Sequence, residues 1–293
     1  MRTNSKPSHF FLSIIALLLF AQACYEPQAG CLDVEAVNYD FSADENEAAD
    51  CIYPELRLRF EHVYSYPDTT VNLRLQDTFY LDEAGNPFRL NRFEFLLSDI
   101  RLQLADGSTL EVSDEIAIYI ESDEGRVNEF FITDNFAFGT AANSGNITIG
   151  TVRESATVDA LNFFVGVAGQ ANQAIPDSFP ITHPLGLSDS LIYFNRDSGY
   201  VFQLIELFRD TAATDTIPEL LRIGTNDNVQ FIDLPVGVDK QPGFHFRATI
   251  QIDYRKWLDG INVDTDNKAE LAQKIVSNTA EAFSLSAITL QGD

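Results

Sequence analysis

The chain has 293 residues, of which 45% are hydrophobic, and it carries 44 Asp plus Glu against 19 Lys plus Arg, a formal net charge of −25. This length and apolar content suffice for one large or two modest domains with a real core, and they exclude a disordered acidic chain. The acid excess repels phosphate, so nucleic acid is excluded as a partner and electrostatic docking on anionic lipid is disfavoured.

From the N-terminus, Arg2 and Lys6 precede an apolar run from Phe10 to Ala21. That run is shorter than the ~20 residues a membrane-spanning helix needs, so residues 1–23 read as a secretion signal. Cys24 follows the small residues of Ala21-Gln22-Ala23 and precedes the polar stretch Tyr25-Glu26-Pro27-Gln28-Ala29-Gly30. It stands where a lipidated cysteine belongs, which predicts a lipid-anchored protein of the cell envelope. It would sit on the outer membrane, facing the periplasm or the surface. Ala21 occupies a position where many lipoproteins have Leu, and the other reading is a cleaved signal that leaves a soluble protein.

Cys31 and Cys51 remain as an even pair, which predicts a disulfide in an exported chain. Closing such a loop contributes about 3 kcal/mol in the chain-entropy picture. Residues 24–53 form an acidic stalk. Within it Asp33, Asn38, Asp40 and Asp44 are oxygen donors of the kind Ca²⁺ prefers, although EF-hand spacing is absent. A solvated spacer pinned by its disulfide is the alternative. Gly30, Cys31, Asp33, Ala36, Asn38, Tyr39, Ala43 and Cys51 resemble a short motif of exported Bacteroidota proteins, without its usual Asp-Gly before the last cysteine.

From residue 54 to 293 the pattern has period two. Leu56–Phe60, Val71–Leu75, Ile100–Leu104, Ile116–Ile120, Phe244–Phe246 and Thr249–Ile252 alternate as half-buried strands do. Val158–Val167 and Gly199–Phe208 read as buried strands. Gly- and Asn-rich turns fall at 83–87, 105–108, 143–146 and 241–243. A helix is predicted over Lys268–Phe283, capped by Asp266 or Asn267, with Leu271, Ile275, Val276 and Phe283 on one face. A shorter one follows Arg255. The fold class is therefore all-β, an antiparallel β-sandwich or Greek-key barrel with one C-terminal helix.

No G-x-S-x-G, H-E-x-x-H, Walker loop or dinucleotide fingerprint occurs, and with two cysteines in a disulfide no thiol nucleophile remains. No nucleophile–base set assembles, so the chain reads as non-enzymatic. Imidazole suits copper or zinc, which makes His62 and His183 the candidate ligands, each with a packing or surface role as its alternative. His62 follows a strand-like run and can face a site at a strand end. His183 precedes Pro184 in a constrained loop. His245 alternates with Phe244 and Phe246 and is expected to be exposed. Trp257 reads as a packing anchor. Tyr193 and Phe194 read as core residues, with sugar binding as the other reading.

Phe60-Glu61-His62-Val63 opens the domain, and Leu97-Ser98-Asp99-Ile100-Arg101-Leu102 comes next. Phe163-Phe164-Val165-Gly166-Val167, His183-Pro184-Leu185, Ser198-Gly199-Tyr200 and Ile252-Asp253-Tyr254-Arg255-Lys256-Trp257 follow in order. This order of segments resembles the MbnP-like family of periplasmic copper-binding proteins, whose strand Y-x-S-N-I-x-L is similar to residues 97–102. The resemblance implies a β-rich exported domain, copper, and a di-haem enzyme partner that oxidises a tryptophan. Two places depart from it. Phe194 and Arg196 are nearest to where the family has tryptophan, and Arg222-Ile223-Gly224 replaces its H-x-G. A guanidinium cannot ligate copper. The expectation is an envelope lipoprotein that binds copper or a small ligand without catalysis. The alternative is a surface module for protein or glycan whose copper site has been lost.

Overall fold

The computed structural model describes residues 26–186, 189–209 and 217–292. The signal and Cys24 lie outside the described residues.

The expected all-β sandwich is present. Among the described residues the larger sheet has nine strands, with the path Tyr193–Asn195, Gly199–Phe208, Pro87–Leu104, Ala156–Val165, Gln230–Lys240. Ala137–Thr140 also pairs with Pro87–Leu104, and Glu219–Gly224 with Gly199–Phe208. The smaller sheet has five strands, with the path Asn146–Thr151, Glu55–Tyr66, His245–Asp253, Phe283–Gln291. Alternation decides which side chains face inward. Leu56, Leu58 and Phe60 from the smaller sheet meet Phe93, Phe95 and Leu97 from the larger one in a single core. The Phe60 and Phe95 rings sit 5.6 Å apart across it.

Within the two sheets of the sandwich one described pair departs from the antiparallel rule. Glu55–Tyr66 runs parallel to His245–Asp253, with Leu56 opposite Phe246 and Val63 opposite Asp253. No hairpin joins strands so distant in sequence, so only their inward faces set their direction.

Helices close one end of the sandwich. Tyr254–Trp257 is capped by Asp253, whose carboxylate accepts the Arg255 N–H. Lys268–Asn278 is capped by Asn267 in a reciprocal box with Glu270. The helix ends five residues before the expected Phe283, which instead opens the strand Phe283–Gln291. The apolar positions beyond Asn278 belong to that strand's alternation, which a helical count also fits. Likewise the strand expected at Val71–Leu75 lies at Thr69–Asn72. His245 is buried rather than exposed, with its Nδ1 accepting the Glu55 N–H at 3.0 Å. Phe244 is the exposed neighbour, because it lies in the turn before the strand begins.

A separate antiparallel hairpin, Glu115–Glu121 with Val127–Thr133, covers a second apolar cluster that includes Leu96, Ile118, Phe136, Tyr200 and Phe202. Beside it the long strand Pro87–Leu104 is interrupted. Asp99 has φ of 54°, and the pairing with Ala156–Val165 slips there. Asp and Asn tolerate this left-handed geometry better than other side chains, which gives the Ser98-Asp99-Ile100 motif a physical reason. Ser98 Oγ then accepts the Ala168 N–H at 3.1 Å and fixes the neighbouring strand exit.

Candidate functional site

His62 shares the inward face of its strand with Leu58 and Phe60, so alternation carries it into the core, where it is 6% exposed. Its Nε2 lies 3.0 Å from the Asn143 carbonyl and its Nδ1 2.9 Å from the Tyr254 hydroxyl. A carbonyl can only accept, so Nε2 carries the proton and Tyr254 donates to Nδ1. Burial pushes the His62 pKa below its ordinary value, partly offset by the Asn143 carbonyl. Burial also holds the Tyr254 hydroxyl protonated far above its usual range. The imidazole is neutral and both nitrogens are engaged.

His183 sits elsewhere. Its Nδ1 accepts the Leu185 N–H at 3.1 Å, which leaves Nε2–H to donate to Asp134 Oδ1 at 3.0 Å. The ring stacks on Phe179, 4.7 Å away and 9° from parallel, with Phe136 against its edge. Tyr200 holds this loop by donating to the Leu185 carbonyl at 2.9 Å. Gly199 precedes it because an added Cβ would lie 2.2 Å from Asn172 Oδ1. His183 and Asp134 line a cleft of about 520 Å³, whose walls include Phe138, Ile149 and Ile181. Its lining combines these apolar side chains with Asp134, Thr148, Thr182 and His183, so it offers both apolar and polar contacts to a small molecule.

The two candidate copper ligands share no hydrogen-bond or ring partner. A metal-bound imidazole needs one nitrogen free for the metal while the other is held by a protein acceptor. At His62 and at His183 both nitrogens are already held. Among the described residues no three His, Cys, Asp or Glu side chains gather closely enough to hold a metal ion. The residues present therefore do not fit copper in this arrangement.

The two positions that depart from the family pattern are in contact. The Arg222 guanidinium lies 4.5 Å from the Phe194 ring centroid. It donates to the Leu191 and Tyr193 carbonyls at 3.0 and 2.6 Å. Gly224 is needed beside them, since a Cβ there would be 2.7 Å from the Phe194 ring. A fixed organic cation thus sits against an aromatic face and the backbone of its loop. Sequence reasoning noted both departures but could not show that they meet, because 28 positions separate them along the chain.

In the stalk the Cys31–Cys51 disulfide is formed, with Cα atoms 5.0 Å apart. The candidate calcium donors are spent on the stalk's own turns. Asp33 accepts the Glu35 N–H and the Tyr53 hydroxyl at 2.9 and 3.0 Å. Asn38 bridges Asp50 and Ile52, Asp40 accepts from Ser42, and Asp44 accepts the Gln28 N–H. The Glu35 N–H holds the Asp33 carboxyl below its usual range, and the Ser42 hydroxyl does so for Asp40. The stalk is also docked. Arg153 lies over the Tyr53 ring at 3.3 Å, and the turn at Gly243 abuts the Ala36 carbonyl. Close by, Lys240 is buried and donates to the Glu154 carbonyl at 2.9 Å, and burial pushes its pKa down to about 8.

The sequence profile of the MbnP family matches residues 53–277. Among solved structures, MbnP from Methylosinus trichosporium is similar at 13% identity and a TM-score of 0.42, over 80% of this chain and 97% of that one. No curated protein matches.

Proposed function

The chain belongs to the MbnP family, and from that premise we propose that it is an exported, lipid-anchored binding protein that holds a small ligand in the His183 cleft without transforming it. The disulfide supports an oxidising compartment outside the cytosol. No helix among the described residues is long and apolar enough to cross a membrane, and the anchor in this reading is Cys24.

The observation that carries the reading is the cleft itself. Its walls mix apolar side chains such as Phe138, Ile149 and Ile181 with polar groups, and one carboxylate, Asp134, is oriented by His183. His183 uses only Oδ1, so the ligand class is an apolar body bearing an amine or hydroxyl that Asp134 can accept from. The net charge of −25 favours the cationic form. Copper is the less supported ligand, because it must displace a hydrogen bond at either imidazole.

The test is titration with a fluorescent alkylammonium probe and its carboxylate analogue. The ammonium probe should bind and the carboxylate should not, and Asp134→Asn should abolish the difference. Equal binding of both, or a preference that survives Asp134→Asn, sinks the reading. Metal analysis of protein purified without chelators, beside a His62→Ala, His183→Ala double variant, tests copper directly. Stoichiometric copper that disappears in the double variant would restore the copper reading.

A further inference from the structure

The inner face of the hairpin changes character along its length. Register places Ile116 opposite Ile132, Ile118 opposite Phe130 and Ile120 opposite Asn128, all on one face. At its middle this face is core, with Ile118 fully buried. Toward the tip it overhangs solvent, where Phe130 is 37% exposed and Asn128 is exposed. Beneath the overhang is a cleft of about 520 Å³ with Gln170 and Gln173 of the 3₁₀ turn Gly169–Gln173 along one side. Arg196 closes it, pinned at 2.9 Å to Asp123. An adjoining cleft of about 370 Å³ shares Glu121, Gln173 and Arg196 and is walled by Tyr193.

We propose that these two joined clefts bind a neutral oligosaccharide, with Phe130 and Tyr193 each packing against one sugar ring. Three features of the lining select that class. An exposed aromatic face packs against the C–H face of a sugar, and planar amides and carboxylates beside it pair with neighbouring hydroxyls. Among the described residues Asn128, Gln170 and Gln173 make no side-chain hydrogen bond, so their amides remain available to a ligand. Glu121, Asp123, Asp177 and Asp197 against Arg196 leave the rim acidic, which repels nucleotides and uronic acids. No His or Cys lines either cleft, so a soft metal has nothing to bind. The site shares no lining residue with the His183 cleft, so the two readings stand or fall separately.

Calorimetric titration of the full chain tests this with linear hexasaccharides of β-1,4-glucose, α-1,4-glucose and β-1,4-mannose, beside hexagalacturonate and hexalysine. At least one neutral oligomer should bind and hexagalacturonate should not. Phe130→Ala and Tyr193→Ala should each weaken binding by about tenfold or more. Arg196→Ala, at an exposed position, should weaken it too. Phe131→Ala, on the outward face of the same hairpin and 67% exposed, should leave it unchanged. Failure of every neutral oligomer overturns the proposal, as does binding of hexalysine alone, which would mark a basic-peptide surface. Affinity unchanged in both Phe130→Ala and Arg196→Ala overturns it as well.

Discussion

Around Trp257 most polar atoms are spent on each other, the buried Gln203 Oε1 excepted, whereas around the hairpin they line open clefts. At the sealed end His62 and Tyr254 are hydrogen-bonded to one another, Trp257 Nε1 donates to Thr279, and Thr279 donates to the Ile275 carbonyl. The Trp257 ring touches Phe93, Phe95, Tyr254 and Phe283. At the hairpin end His183 is also doubly bonded, yet its partner Asp134 is bonded to it through Oδ1 alone and lines a cavity. In sequence both histidines were candidate copper ligands, one after a strand-like run and one before Pro184. What separates structural from functional polarity here is whether the hydrogen-bond chain closes inside the protein or stops at a concave surface.

Perturbing the sealed end should damage stability and leave recognition alone, and the reverse should hold at the hairpin. Trp257→Ala removes the centre of the aromatic cluster and should cost about 3–5 kcal/mol in denaturant unfolding. Near-wild-type stability would show that the end is not sealed. Lys240 is a charge buried with backbone carbonyls as its partners. Its pKa falls from 10.5 to about 8 on folding, so between those values the unfolded chain binds more protons and stability rises with pH. The rise, relative to Lys240→Met, should reach up to about 3 kcal/mol. A flat difference would mean that the ammonium is solvated.

His62 has its folded pKa below the ordinary 6.5. The unfolded chain therefore takes up the proton first, and stability present above 6.5 is lost as pH falls through the folded value. His62→Gln should flatten that acid limb while lowering stability at neutral pH by about 1–3 kcal/mol, the usual effect of disturbing buried hydrogen bonds. Thermal melts across pH 5 to 8 (an interval that straddles the ordinary His pKa) would show it. His183→Ala removes a stacked ring and leaves the Leu185 N–H without its acceptor, so it should cost about 1–3 kcal/mol, and by releasing Asp134 it should weaken the ammonium preference of its cleft. A large loss of stability instead would make His183 a second structural histidine.

The β-sandwich was legible because alternation is a local signal, and Leu56, Leu58 and Phe60 report their face without knowing their partner. Trp257 was legible as an anchor because a lone indole among aromatics has few other places to go. His62 was misleading for the same reason. Its alternation with Leu58 and Phe60 points inward, but a histidine invites a functional reading. Phe283 fits both a helical and a strand count, so periodicity alone placed it in the wrong element. The clefts were not legible at all, since they depend on how Gly169–Gln173 and Tyr193–Asn195 come to lie beneath a hairpin more than 35 residues earlier in the chain.

The parallel seam between Glu55–Tyr66 and His245–Asp253 has a kinetic meaning. Glu55 and His245 are 190 positions apart, so the opening strand cannot gain one of its neighbours until almost the whole chain is present. Long-range pairing of this kind is slow to nucleate. The opening strand stays incompletely paired while the rest of the chain is made, and this part of the sandwich locks only once His245–Asp253 is present. In that sense the seam acts as a timer for assembly, set by topology rather than by any single side chain.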